Sequence, residues 1–284
     1  MVEPVVESKR AQADHEKLET AAASIVGGMA ELPLSLRPFL LLQDVAAHGE
    51  NEALKATSQA VLLDLGNRSV TPETVACLAD FAAQLNTNLI RLSLSKNTVG
   101  PRSLQLLGKA LLTNNSIQFL ELDSCELLGS PYRPQMEGLL ALSKGIQSAR
   151  SCLRYLNVRN NDLQPEGCRV LLGALAFHPT LTALDISSNM LSLFQDKSGY
   201  LALSYLLRYA HALCWLDISD NALPKQAFPV LRESLMANAS LTCLNAKRCN
   251  IPTQSALLGS SSVTDHGEPT NNTATMGILH RLEV

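Results

Sequence analysis

One eleven-residue phrase returns seven times along the chain, and its constancy is the strongest constraint on what the polypeptide can fold into. Leu89-Ile-Arg-Leu92-Ser-Leu94-Ser-Lys-Asn97-Thr-Val99 shows it in full, as do the stretches Leu181 to Leu191 and Leu213 to Leu223. Further copies begin at Ile117, Leu153 and Leu241, and a weaker one covers Ala60 to Val70, with Arg68 in the ninth place. Positions 4 and 6 are apolar and the residues between them mostly polar, which is the alternation of a short strand with one buried face. The ninth-position residues Asn97, Cys125, Asn161, Asn189, Asn221 and Cys249 are expected to bond the backbone of the loop after each strand.

First positions at 60, 89, 117, 153, 181, 213 and 241 give periods of 29, 28, 36, 28, 32 and 28 residues. A 28-residue period leaves about 17 residues after each phrase, enough for a helix of about three turns plus loops. Residues 103–112, 167–176 and 228–236 carry apolar stripes at helical spacing. Pro101, Pro165 and Pro224 stand one to two residues past a phrase, where proline can open a helix without losing a bond. Asn114, His178 and Asn238 close the helices before the next strand, and an imidazole there can bond terminal carbonyls.

Mixed Asn and Cys at position 9, a helix in every repeat and a 28-residue period together resemble the ribonuclease-inhibitor type of leucine-rich repeat. That class includes ribonuclease inhibitor, Ran GTPase-activating protein, and the tails of tropomodulin and NOD-like receptors. The resemblance covers residues 60 to 251. It implies an α/β, right-handed solenoid of about seven repeats, a horseshoe with a parallel β-sheet on its concave face and helices on its convex face. It says little about the partner, because fold does not fix function.

Composition narrows the reading further. With 46% apolar residues but only 4% aromatic, the core is expected to be a narrow stack of leucines in one elongated domain. A formal charge of −3 supplies no basic field for nucleic acid. Seven cysteines, an odd number without C-x-x-C, read as a reduced, intracellular set. Met1 to Glu19 is charged rather than signal-like, and the longest apolar run, Ala212 to Leu216, is too short to span a bilayer. The expected location is cytoplasmic, with cytoskeletal or ciliary association left open.

The chain divides into residues 1–59, an N-terminal helical cap or a partner-binding amphipathic helix; the repeat domain, 60–258; a polar linker, 259–275; and an apolar segment, 276–284. The last repeat is expected to end on an exposed edge, covered by the terminal nonamer or by a partner.

On the concave face, phrase positions 3, 5 and 7 point away from the core. Position 3 brings Arg91, Phe119, Tyr155 and Trp215 into one column; position 5 brings Glu121, Asn157, Asp185, Asp217 and Asn245; position 7 adds Arg159 and Lys247. Large rigid aromatics are favoured interface anchors, so these residues are the candidate protein-binding set. Two overlong repeats add loops carrying Tyr132 (Leu128 to Pro134) and Phe194 (Ser192 to Ser198) as a second candidate surface.

No catalytic residues are assigned. Six histidines lack metal-ligand spacing, nucleophile-elbow and phosphate-loop motifs are absent, and no metal or cofactor is expected. The preferred reading is a non-catalytic scaffold that binds a protein, with neither nucleic acid nor membrane as its partner. The alternatives are a GTPase-activating protein of the Ran type, or a structural subunit of an axonemal or cytoskeletal assembly.

Overall fold

The computed structural model describes residue 36 and residues 60–84, 87–251 and 281–283. Seven short strands alternate with six helices: β1 (Val61–Asp64), α1 (Pro72–Ala83), β2 (Leu89–Ser93), α2 (Gly100–Leu111), β3 (Phe119–Glu121), α3 (Glu137–Ile146), β4 (Tyr155–Asn157), α4 (Gln164–Leu175), β5 (Ala183–Asp185), α5 (Ser198–Tyr209), β6 (Trp215–Asp217), α6 (Ala227–Ala237) and β7 (Cys243–Asn245). An eighth strand, β8 (Arg281–Glu283), closes the series, and all eight form one sheet in sequence order. Every pairing is parallel and joins like phrase positions: Tyr155 faces Ala183, Ala183 faces Trp215, and Trp215 faces Cys243. The chain is a leucine-rich solenoid with strands lining one face and helices the other.

The hydrophobic phrase positions produce this stack directly. Leu63, Leu92, Leu120, Leu156, Leu184 and Leu216 at position 4 are buried, and so are Leu65, Leu94, Leu122, Val158, Ile186 and Ile218 at position 6. Each buried leucine contributes about 1.5–3 kcal/mol, but only when the next repeat covers it.

A side-chain ladder fixes the turns after the strands. Asn189 Nδ2 donates to Val158 O of the preceding repeat (2.9 Å) and to Ile186 O and Ser187 O of its own (3.2 and 3.0 Å). Its Oδ1 accepts from the amides of Asn161 and Leu163 at 3.0 and 3.4 Å. Asn97, Asn161 and Asn221 make the corresponding donations. In the first repeat the side chain of Arg68 plays no such part, yet its amide is still held, by Asn97 Oδ1 at 3.1 Å. Position 8, next to the ladder residue, is left-handed in all seven phrases, with φ of 53–60° at Asn67, Lys96, Ser124, Asn160, Ser188, Asp220 and Arg248. Non-glycine residues hold that conformation because hydrogen bonds fix the turn on both sides.

Cys125 and Cys249 fill the ladder position with a thiol, donating to Leu94 O (3.2 Å) and Ile218 O (3.0 Å). Burial pushes Cys125 up to about 12 and Cys249 up to about 11, so both stay protonated donors.

A second ladder runs along the opposite edge. Asn114 Nδ2 donates to Ala82 O at 2.8 Å, and its Oδ1 accepts from the amides of Ser116 and Ile117. Asn238 repeats this with Leu207 O and with the amides of Ser240 and Leu241. His178 occupies the equivalent place: Nδ1 accepts from Leu181 N at 3.1 Å, while Nε2 lies 3.0 Å from Ser151 Oγ. Asn114 and Asn238 therefore tie the ends of α2 and α6 to the helix of the repeat before, His178 ties the end of α4 to the loop at Ser151, and all three hold the segment leading into the strand that follows.

Helix starts depart from expectation in two places. Pro101 and Pro165 lie in the first turn of α2 and α4, but Pro224 precedes α6 by three residues, in a turn where its carbonyl accepts from Ala227 N at 2.9 Å. Helix α1 opens on Pro72 with Thr71 as its cap, a start the phrase spacing did not mark. Helices α2 and α3 approach so closely that a Cβ on Gly108 would stand 2.3 Å from the Ala141 carbonyl carbon.

At the C-terminal end, β7 does not present an open edge: Cys243, Leu244 and Asn245 pair with Arg281, Leu282 and Glu283. That pairing puts Leu282 in register with position 4 of the other strands, and the sequence around it, Leu279-x-x-Leu282-x-Val284, repeats the first six phrase positions. The expected N-terminal cap lies outside the described residues except for Leu36, which is buried in the leucine core. The polar linker 259–275 also lies outside them.

Candidate functional site

The sheet face opposite the leucines gathers the sequence-selected side chains because parallel, in-register strands align like positions. Four neighbouring strands carry Phe119, Tyr155, Ala183 and Trp215 at position 3. Phe119 is exposed, while Tyr155 and Trp215 are half-buried. The Phe119 and Tyr155 rings stand 6.5 Å apart between centroids, tilted by 44°. Arg91 does not stand alone in this column: Nη2 meets Glu121 Oε1 at 2.6 Å, a partly exposed pair worth up to about 1 kcal/mol.

Position 5 has a structural duty that its charge alone conceals. Asp185 Oδ1 accepts from the amide (2.9 Å) and hydroxyl (2.7 Å) of Ser187. Asp217 Oδ1 accepts from Ser219 N, Asn157 Oδ1 from Arg159 N and Asn245 Oδ1 from Lys247 N. Each closes a turn two residues on, so Asp or Asn here ends the strand. Asp217 Oδ2 is further held by Asn245 Nδ2 at 2.7 Å. Ser187 and Ser219 at position 7 are consequently buried, whereas Arg159 and Lys247 at the same position are exposed.

Electrostatically the middle of this face is carboxylate-dominated. Burial raises the Tyr155 phenol above its ordinary value, and the charges of Asp185 and Glu121 push it the same way. Burial also raises the Asp185 carboxyl; the Ser187 bonds oppose this, Asp217 adds to it, and Arg159 exerts the smallest influence. Asp185 is only 8% exposed.

Two surfaces lie elsewhere. Tyr132 and Phe194 are 93% and 95% exposed on the inserted loops, and Gln164 Nε2 anchors the first loop by donating to Pro131 O at 2.7 Å. On the helix side Phe177, Tyr205 and Tyr209 cluster, with centroid separations of 5.8, 5.3 and 4.6 Å. The concave-face reading does not contain that cluster; the i, i+4 spacing of Tyr205 and Tyr209 on α5 was its sequence signal.

The Leucine Rich repeat family model matches residues 151–172, which contain β4 and the first turns of α4. The fold is that of a leucine-rich-repeat solenoid. Its helix-bearing repeats of 28 residues and more are similar to those of the ribonuclease-inhibitor type. It is 27% identical over 224 residues to the human (Homo sapiens) NACHT, LRR and PYD domains-containing protein 12, a match covering 69% of this chain and 20% of that one. It is 29% identical over 196 residues to the mouse (Mus musculus) capping protein, Arp2/3 and myosin-I linker protein 2, covering 66% of this chain and 14% of the relative. The leucine-rich-repeat chain thus spans a fifth or less of the curated relatives it matches. Among solved structures, the tropomodulin C-terminal domain of Caenorhabditis elegans aligns with a TM-score of 0.45 at 19% identity, covering 60% of this chain and 93% of that one. Among the described residues, no helix is long and apolar enough to cross a membrane.

Proposed function

We propose that this leucine-rich-repeat protein is a non-catalytic scaffold that docks a protein partner on its concave sheet face. The supporting observation is the in-register column of Phe119, Tyr155 and Trp215, large side chains on one sheet face, the first exposed and the other two half-buried. Rigid aromatics on a preorganised surface lose little conformational freedom on binding and give up much apolar area to a partner. The thiols at Cys125 and Cys249 are engaged as hydrogen-bond donors in the turns, which suits a structural part rather than nucleophilic chemistry.

The test compares partner recovery from cells by the full chain and by the Tyr155→Ala and Trp215→Ala variants. Each variant is expected to weaken a specific partner by roughly tenfold or more. Undiminished recovery by both overturns the reading.

Participation in a cytoskeletal assembly is a second reading, supported by the likeness to a protein named as a linker of capping protein, Arp2/3 and myosin-I. Co-sedimentation of the full chain with actin filaments tests it, and absence from the pellet counts against it.

A further inference from the structure

The middle of the concave face contains a gap in its aromatic column. Ala183 sits on β5 between Tyr155 on β4 and Trp215 on β6, paired with each in register. Two strand spacings separate the flanking residues by about 10 Å, enough for a flat cationic group to stand between two ring faces. Asp185 is two residues on from Ala183 and so shares its face. Its Oδ1 accepts both bonds from Ser187, and among the described residues no hydrogen bond or ion pair uses Oδ2. Oδ2 is not among the buried atoms left without a partner, so although Asp185 is only 8% exposed, this oxygen opens to solvent and can accept a bond from a docked group. The neighbouring carboxylate is not in this condition, since Asn245 holds the second oxygen of Asp217. Among the described residues, Arg159 is the cation that bears on Asp185; it is exposed, and its influence there is the weakest of those acting.

We propose that the notch over Ala183, walled by Tyr155 and Trp215 and floored by Asp185, receives an arginine side chain of the docked partner. The guanidinium plane stacks between the rings while an N–H donates to Asp185 Oδ2. Arginine suits this geometry better than lysine because its planar, weakly hydrated head can stack and donate at once. The proposal rests on the concave face being the docking surface, and it names the chemistry recognised there.

Trp215 is the single tryptophan of the chain, so its emission reports on the notch directly. The full chain is titrated with N-acetyl-arginine amide, with the isosteric but neutral N-acetyl-citrulline amide, and with N-acetyl-lysine amide. The arginine probe is expected to give a saturable change with a midpoint in the millimolar range, and the other two should bind roughly fivefold more weakly or worse. Asp185→Asn keeps an oxygen for Ser187 and should weaken the arginine response by a similar roughly fivefold factor. Ala183→Leu, which fills the notch, should abolish it. Equal responses to arginine and citrulline, or an unchanged Asp185→Asn titration, overturn the proposal; an equal or stronger lysine response overturns the assignment to a guanidinium. If Asp185→Asn and Ala183→Leu retain a cellular partner that Trp215→Ala loses, the notch reading fails while the docking surface stands. If all three retain it, and Tyr155→Ala does too, the docking surface itself is wrong.

Discussion

The amide of Asn189 donates to Asn221 Oδ1 at 3.0 Å, so the residue that holds one turn is itself held by the same residue type one repeat later. Leu191 N reaches the same oxygen at 3.1 Å. Asn161, Asn189 and Asn221 each reach back to the repeat before, accepting from its amide at Oδ1 and donating Nδ2 to its carbonyl, so the stability of each turn depends on its successor.

Replacing Asn189 by alanine strands buried carbonyls and amides, and should lower unfolding free energy by about 3 kcal/mol in urea titrations. Asn189→Cys retains a donor, as Cys125 and Cys249 do, but loses the acceptor for Asn161 N and Leu163 N. It should cost roughly half as much. Equal losses for the two variants would contradict the ladder account.

Two helical glycines should respond in opposite directions to alanine. At Gly173 nothing lies within 4 Å of an added Cβ, so the higher helix propensity should raise stability by up to about 1 kcal/mol. At Gly108 the Cβ would collide with backbone of α3, and the loss from forcing the helices apart should be about 2 kcal/mol or more. Thermal unfolding of the two variants distinguishes the signs.

His178 makes the fold sensitive to mild acid. Burial lowers its pKa beneath the ordinary 6.5, with a backbone bond at Ile146 opposing. Between the lowered value and 6.5 the unfolded chain binds more protons than the folded one, so stability falls as pH falls through that window. The neutral ring's contribution is complete above 6.5. His178→Asn, which copies Asn114 and Asn238, should remove this component, so that wild type loses more stability than the variant between pH 7 and pH 5. Parallel losses would refute the assignment.

The pairing of β8 with β7 predicts that deleting residues 279–284 speeds amide exchange at Cys243 to Asn245 while leaving β3 and β4 unchanged. Unaltered protection of β7 would show that the eighth strand contributes nothing there.

Most of the scaffold was legible because the phrase is both local and periodic. Leu184 and Ile186 announce a buried strand face by themselves, and Asn189 announces the loop that follows. The eighth phrase escaped because 38 residues separate Leu241 from Leu279, well beyond the recurring 28-residue period of the other copies. Close approaches such as Gly108 against Ala141 depend on how two helices lie together, which neither helix encodes alone. On the concave face, register aligned Phe119, Tyr155 and Trp215 as the spacing required. The significance of Ala183 lay in what is missing between two rings, and a small residue carries no signal until its neighbours are known. The position-5 residues were read by charge, whereas their carboxyl and carboxamide oxygens also close the turns at Arg159, Ser187, Ser219 and Lys247.

The most direct test of the docking account places a photo-crosslinking residue at Ala183 on the sheet face or at the exposed Leu140 on α3, and identifies what each captures in cells. The account predicts that position 183 captures a discrete protein partner and that position 140 does not. Capture of the same partner from position 140, with none from 183, would contradict it.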